Sequence, residues 1–248
     1  MNTFTSCLSS PVAERTKKVE VWVPEKLQHP KISALVPMRH HSQRVPGKNY
    51  RPLNGIPLYQ HILTTLTQVP EVDEIVVDTD SDIILHGIQS NFPAVKVINR
   101  PPELRADDIS MNTILLHDIS QSPADLYLQT HSTNPLLKAS TISRAINKLL
   151  QVYPEHDSLF SVTRLQTRLY DHLGKAINHD PKVLIQTQDL PPVYEENSCI
   201  YLFTAATLRK NGTRIGETPL LFETDPEESW DIDEEVDFKL VEMILKAR

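Results

Sequence analysis

Cysteine is nearly missing from this chain: Cys7 and Cys199 are the only two among 248 residues. One falls in an irregular N-terminal stretch and the other in a candidate core strand. Neither a disulfide framework nor a cysteine zinc site can be built from them, and two free thiols suit a reducing compartment. Long hydrophobic runs are also missing. No segment approaches the roughly 18 apolar residues that a membrane span requires, and the opening MNTFTSCLSSPVAERTKK lacks the apolar centre of a secretory leader. Positive charge is in deficit, with 25 lysines and arginines against 32 acids and a net charge of −7. That balance argues against a general nucleic-acid-binding surface. There is no internal repeat and no low-complexity tract. The expectation is a soluble, cytoplasmic protein with no nucleic-acid and no membrane partner.

What is present is ordinary for a globular chain: 40% hydrophobic and 23% charged residues, at a length that allows one large or two small domains. Residues 1–30 carry Pro11, Pro24 and Pro30 without a sustained period. They read as an extension, with a short strand candidate at Val19–Val23. From residue 31 to 248 a single domain is expected, in which apolar strand candidates alternate with helical stretches. The strands are ISALV (32–36), EIVVD (74–78), VKVIN (95–99), DLYLQ (125–129), SLFSV (158–162) and CIYLF (199–203). Leu58, Ile62 and Leu66 share one helical face, as do Ile142, Ala145, Ile146 and Leu149, the latter with Ser140 or Thr141 as cap. Val236, Leu240 and Ile244 form a row on a last helix from Glu234 to Lys246. Strands alternating with helices imply a mostly parallel α/β sheet covered on both faces, with ligands beyond the carboxyl ends of its strands. The less regular segment 164–197, broken by Pro181, Pro191 and Pro192, reads as a lid or as an oligomer arm.

Against the overall acidity, the loop after the first strand, VPMRHHSQRVPGKN (36–49), gathers Arg39, Arg44 and Lys48 around a His40/His41 pair. Arginines offer forked, permanent donors to phosphate oxygens and lysine adds a mobile charge. The loop is neither GxxxxGK[ST] nor GxGxxG, and Gly47 is its only glycine, so side-chain cations must do more than backbone N–H groups. The competing reading is a solvated loop whose arginines pair with surface acids to little effect. The histidine pair reads as polar loop surface rather than a metal site.

Two D-x-D pairs offer carboxylates for a divalent cation, since residues i and i+2 of an extended segment face one side. Asp78-Thr79-Asp80 closes a strand and opens a helix, where Thr79, Asp80 or Ser81 serve as caps. Asp231-Ile232-Asp233 also precedes a helix, and its acids would complement the helix dipole. There Ile232 reads as an inward anchor that turns both carboxylates outward.

VPMRHHSQRVPGKNYRPLNGIPL resembles the N-terminal signature of the acylneuraminate cytidylyltransferase (CMP-sialic acid synthetase) family, with Arg39, Ser42, Pro46, Lys48, Asn49, Gly55, Pro57 and Leu58 in register. ESWDIDEEVDFKLVE is similar to the family's closing motif S-x-D-I-D-x-x-x-D-[FL]-x-x-[AV]-E. The resemblance implies a Rossmann-like nucleotidyltransferase sheet of the GT-A-like kind, with a small irregular dimerisation or lid insertion. It implies transfer of CMP from CTP to the anomeric hydroxyl of a nonulosonic or octulosonic acid, with Mg²⁺ or Mn²⁺ held by Asp231 and Asp233 and with a homodimer as the assembly. Arg39, Lys48 and Asp231 become the catalytic candidates. Arg39, Ser42, Arg44, Lys48, Asn49, Arg100, Ser110 and Asn112 become the nucleotide contacts; Ser110 otherwise caps a helix.

Gln129, Thr133, Asn134, Asn197 and Arg214 become the candidate sugar contacts. Gln129 and Thr133-Asn134 compete for one role, because QTHSTNP is two residues longer than the family's strand end. Asn197 has the alternative of a turn residue. Three positions depart from the pattern: Gln43 stands where lysine is usual, Met111 where a small polar residue is common, and Ser198 in place of glycine. Two other functions stay open, a metal-dependent GT-A-like glycosyltransferase and a nucleotide-binding homologue without turnover.

Overall fold

Ile32 to Leu35 is buried at every position, as a strand with helices on both faces must be. This first strand, β1, lies inside a seven-stranded sheet. In chain order the other strands are β2 (Pro52–Leu53), β3 (Ile56–Pro57), β4 (Glu74–Thr79), β5 (Lys96–Asn99), β6 (Leu126–Gln129), β7 (Ser158–Leu165), β8 (Val193–Phe203) and β9 (Pro219–Glu223). The helices are α1 (Leu58–Leu66), α2 (Asp82–Asn91), α3 (Met111–Gln121), α4 (Ala139–Val152), α5 (Ala205–Asn211) and α6 (Glu235–Ala247). The computed structural model describes Leu27 and residues 29–247. The strand expected at Val19–Val23 lies outside the described residues.

The sheet order is β5-β4-β1-β6-β8-β7-β9, and β2 and β3 form a separate small hairpin. β1 is parallel to both β4 and β6, and β4 to β5. β8 runs antiparallel to β6 and β7, while β9 is parallel to β7, so β8 alone opposes the common direction. The chain moves outward from β1 to β4 and β5, then returns to the other side of β1 with β6. The carboxyl ends of β1 and β6 therefore flank a topological switch point, where open α/β sheets form a crevice.

Side chains alternate across the sheet with the two-residue period of a strand. In β6, Leu126 and Leu128 join one core with Ala34, Ile62 and Ile146, whereas Tyr127 joins the opposite core with Leu35, Leu115 and Phe203. A third cluster lies off the sheet. Val45 of the cationic loop packs there with Leu53, Leu58, Leu136, Ile232 and Phe238, which joins the start of the domain to its end.

All six expected strands are present. The hairpin and β9 were not foreseen; a proline opens each, Pro52 and Pro219. The cap of α4 is corrected. Its N-cap is Lys138, without a side-chain cap, and the Lys138 N–H is instead fixed by Glu228 Oε2 at 3.0 Å, 90 residues away. Segment 164–197 is mostly an excursion between β7 and β8, exposing Tyr170, Leu173, Ile177, Val183 and Leu184.

Candidate active site

The cationic loop leaves β1 at Val36 and closes in a 3-10 turn at Lys48–Tyr50. Gly47 enters that turn with φ +68°, and a Cβ there would come within 2.8 Å of the Tyr50 ring, so glycine is required on both conformational and steric grounds. Asn49 braces the loop from below, donating to Arg39 O at 2.7 Å and accepting from Ser132 Oγ at 2.8 Å. His40 is structural: its ring stacks on Tyr50 and its Nδ1 lies 2.7 Å from Ser81 Oγ.

A cleft of about 590 Å³ opens over this loop, at the carboxyl ends of β1, β5 and β6. Ten of the residues chosen from the sequence line it: Arg39, Ser42, Arg44, Lys48, Asn49, Arg100, Thr133, Arg214, Asp231 and Asp233. The loop and the second D-x-D pair touch. Lys48 Nζ donates to Ile232 O at 2.6 Å and lies 3.3 Å from Asp233 Oδ1, which Arg44 Nη2 approaches to 2.7 Å. Asp233 in turn holds the Arg44 guanidinium above its ordinary pKa. The DID segment is strapped in place by Ile232 N–H to Thr133 O at 2.9 Å. Ile232 is fully buried, the inward anchor expected between two cleft-facing acids.

Arg39 is paired as well. Asp107 accepts from Arg39 Nη1 at 2.5 Å and from Gln43 Nε2 at 2.7 Å, linking the cationic loop to the segment after β5. Each cation of the loop thus faces an acid, so an incoming polyanion must exchange with carboxylates. His41 of the loop itself and Asp107, Ser132, Ser198 and His131 from other segments complete this wall; side chains that close a cleft from separate segments leave no local periodic signal.

Five other candidates do not line the cleft, and their side chains have protein partners. Ser110 caps α3, accepting from Thr113 N–H. Asn112 Oδ1 accepts from Arg214 N–H. Asn134 is buried and donates to Trp230 O. Asn197 donates to Thr163, Thr224 and Ser229 hydroxyls and accepts from Ser161. Gln129 is buried behind the wall, bonded to Arg214, Thr130 O and His131. No residue of 166–192 lines the cleft.

Ser198 sits where β8 bulges: Phe160 pairs with Tyr201 and Val162 already with Glu196. The extra residues re-aim Ser198 into the cleft at φ +58°. Serine held there stores about 1–3 kcal/mol of strain, partly offset by the hydroxyl's 3.1 Å contact with Tyr201 Oη. Ser198→Gly is expected to stabilise the fold by roughly 0.5–1 kcal/mol, read as a higher urea midpoint at an unchanged slope.

Beneath the cleft the first D-x-D pair is structural, as expected. Ser81 caps α2 and Asp80 Oδ1 accepts the His40 N–H. Asp78 forms a buried ion pair with Arg100, whose Nη1 has no protein partner although buried. Asp78, His117 and Asp118 bring ligand atoms within 4.8 Å of one another. A cation does not fit there, because Arg100 already neutralises Asp78. Burial, and then the neighbouring Asp78 charge, pushes the Asp118 carboxyl up to about 9, so it holds its proton at neutral pH. Its folded value lies above the unfolded one, so stability declines as pH rises from the ordinary aspartate range toward 9. Asp118→Asn, which keeps a donor there, is expected to flatten that decline in thermal melts across pH.

Asp231 suits a divalent cation better. Its Oδ1 is buried without a partner, and burial raises its carboxyl above the usual range, with Thr133 and the nearby cations opposing. Two cleft-facing carboxylates with an unsatisfied oxygen form a hard-ligand set of the magnesium type.

Comparison with known proteins gives the family and the fold. The family profile described as "Cytidylyltransferase" matches residues 33–247. The chain is 31% identical over 236 residues to the CMP-N,N'-diacetyllegionaminic acid synthase of Legionella pneumophila, covering 87% of this chain and 97% of that one. It is 28% identical over 219 residues to the N-acylneuraminate cytidylyltransferase of Oncorhynchus mykiss, covering 85% of this chain and 49% of that longer one. Among solved structures, a CMP:2-keto-3-deoxy-manno-octonic acid synthetase complexed with CTP superposes with a TM-score of 0.65 at 17% identity, covering 88% of this chain and 99% of that one; at that identity it speaks for the fold. On the family match and the full-length likeness to the Legionella enzyme, this chain belongs to the cytidylyltransferase family.

Proposed function

We propose that the protein transfers CMP from CTP to the anomeric hydroxyl of a nonulosonic acid, releasing pyrophosphate. One observation carries the reading: Lys48 and Arg44 converge on Asp233 inside one cleft that also holds Arg39, Arg100, Arg214 and Asp231. Cations for a triphosphate and carboxylates for a metal are what nucleotidyl transfer needs together. The names of the Legionella and trout relatives favour a nine-carbon acid.

The anomeric oxygen attacks the α-phosphorus, the bond to the β-phosphate oxygen breaks, and the hydroxyl proton passes to solvent or a carboxylate. Arg39 and Arg44 offer forked donors to the leaving pyrophosphate, and Lys48, with a side chain only 12% exposed, faces the centre of the charge. The free Nη1 of Arg100 is a donor to the nucleotide from the cleft floor. Arg214, half-screened from water and lying 3.5 Å from the Tyr201 ring centroid, is a fixed cation for the sugar carboxylate. A divalent cation such as Mg²⁺ or Mn²⁺, held by Asp231 and Asp233, would supply positive charge at the α-phosphate and leave Arg44 and Lys48 free for phosphate oxygens.

The test is CTP with Mg²⁺ against sialic, legionaminic, pseudaminic and octulosonic acids, following pyrophosphate and CMP-sugar. Product with a nine-carbon acid is expected. Thermal stabilisation by CTP without turnover would favour the non-catalytic homologue, and sugar transfer from a nucleotide-sugar without pyrophosphate the glycosyltransferase. The exposed apolar side chains of the 166–192 excursion support a homodimer arm. A cytoplasmic site of action belongs to the same proposal; no helix among the described residues is long and apolar enough to cross a membrane.

A further inference from the structure

His131 stands on the cleft wall just past β6. Its ring is oriented by a chain of donors with only one consistent reading. Arg214 Nη1 lies 2.5 Å from Gln129 Oε1. A guanidinium can only donate, so that atom is the amide oxygen. Gln129 Nε2 therefore donates, to Thr130 O at 3.2 Å and to His131 Nε2 at 3.0 Å. An imidazole nitrogen that receives a hydrogen bond carries no proton, so the ring proton sits on Nδ1. Among the described residues no hydrogen bond engages that Nδ1 edge.

We infer that His131 is a sugar-acid contact: a neutral donor whose Nδ1–H takes one carboxylate oxygen of the acceptor substrate while Arg214 takes the other. The inference rests on the cytidylyltransferase reading of this cleft. A neutral ring is what the surroundings favour, because burial, then the charges of Arg214 and Lys48, lower its pKa to about 4. In this tautomer Nδ1 carries the proton and the Nε2 lone pair is taken by Gln129, so His131 positions the substrate and does not deprotonate it. Gln129 acquires a role as well. It was expected to touch the sugar; instead it sets the tautomer of the residue that does.

Two measurements test this. In ¹⁵N-labelled, ligand-free protein, the His131 ring is expected to show Nδ1 protonated and Nε2 bare from pH 6 to 8; the opposite tautomer overturns the inference. In kinetics, His131→Ala is expected to raise KM for the sugar acid roughly 10- to 100-fold, the loss of one hydrogen bond to a charged group, with KM for CTP within about threefold. Gln129→Glu, which can only accept from the ring, is expected to move the proton to Nε2 and raise the same KM. A His131→Ala enzyme with unchanged sugar-acid KM refutes the contact while leaving the activity standing. A wild-type protein that turns over none of the nine-carbon or eight-carbon acids refutes the activity, and the contact with it, whichever tautomer the ring shows.

Discussion

Methionine in place of Lys48 is expected to lower kcat/KM for CTP-dependent pyrophosphate release by roughly 10²–10³-fold, the usual effect of removing one preorganised donor from a site of developing charge. Lys48 is the least exposed cation of its loop, and its ammonium lies against Ile232 O and Asp233. Methionine keeps the length and the apolar stem but not the charge. Asp233 retains Arg44 at 2.7 Å, so the expected loss of stability is limited to about 1–2 kcal/mol for the deprived carbonyl and weakened pair. Lys48→Arg is not a rescue, because a planar fork does not fit where a compact ammonium makes both contacts. Activity and thermal unfolding measured together decide the matter; a variant with near wild-type turnover would remove Lys48 from the chemistry.

Asp231→Asn is expected to move activity and stability in opposite directions. Turnover should fall by a factor on the order of 10³, because an amide holds a divalent cation poorly and the α-phosphate then lacks its screen. Stability should rise. Asp231 is a buried carboxylate with an unpartnered oxygen, and its pKa is raised chiefly by burial. For an acid whose folded pKa exceeds its unfolded one, the folded state binds the proton more tightly. The wild type therefore loses stability as pH climbs from the ordinary aspartate range through the raised value, then levels off. The asparagine variant should match the wild type at acid pH and exceed it at neutral pH without metal. Added Mg²⁺ should raise the melting point of the wild type only. Equal melting points for both proteins at every pH would contradict this role for the carboxylate.

The parallel sheet and both ends of the site could be read in the sequence because their signals are local. ISALV and EIVVD are apolar runs of strand length, and the DID motif carries its own anchor in Ile232. Three of the candidates outside the cleft lining share one cause. Gln129 ends β6, Asn134 follows it in a loop and Asn197 sits at the bulge of β8, places where a sequence offers solvent, ligand or protein as partners alike. The fold gives them protein: Thr224 and Ser229 for Asn197, Trp230 O for Asn134, Arg214 and His131 for Gln129. Those partners lie between two and 96 residues away. The acids on the cationic loop were equally hidden. Asp107 and Asp233 reach Arg39 and Arg44 only after β5 and the chain's last turn are in place.

That Arg44 and Lys48 exchange Asp233 for the phosphates of CTP is the central claim, and a crystal structure with CTP and Mg²⁺ tests it most directly. The expected result is a triphosphate in contact with Arg39, Arg44 and Lys48, Arg44 released from Asp233, and the cation on Asp231 and Asp233. A nucleotide bound away from this loop, with the Arg44–Asp233 pair intact, would contradict it.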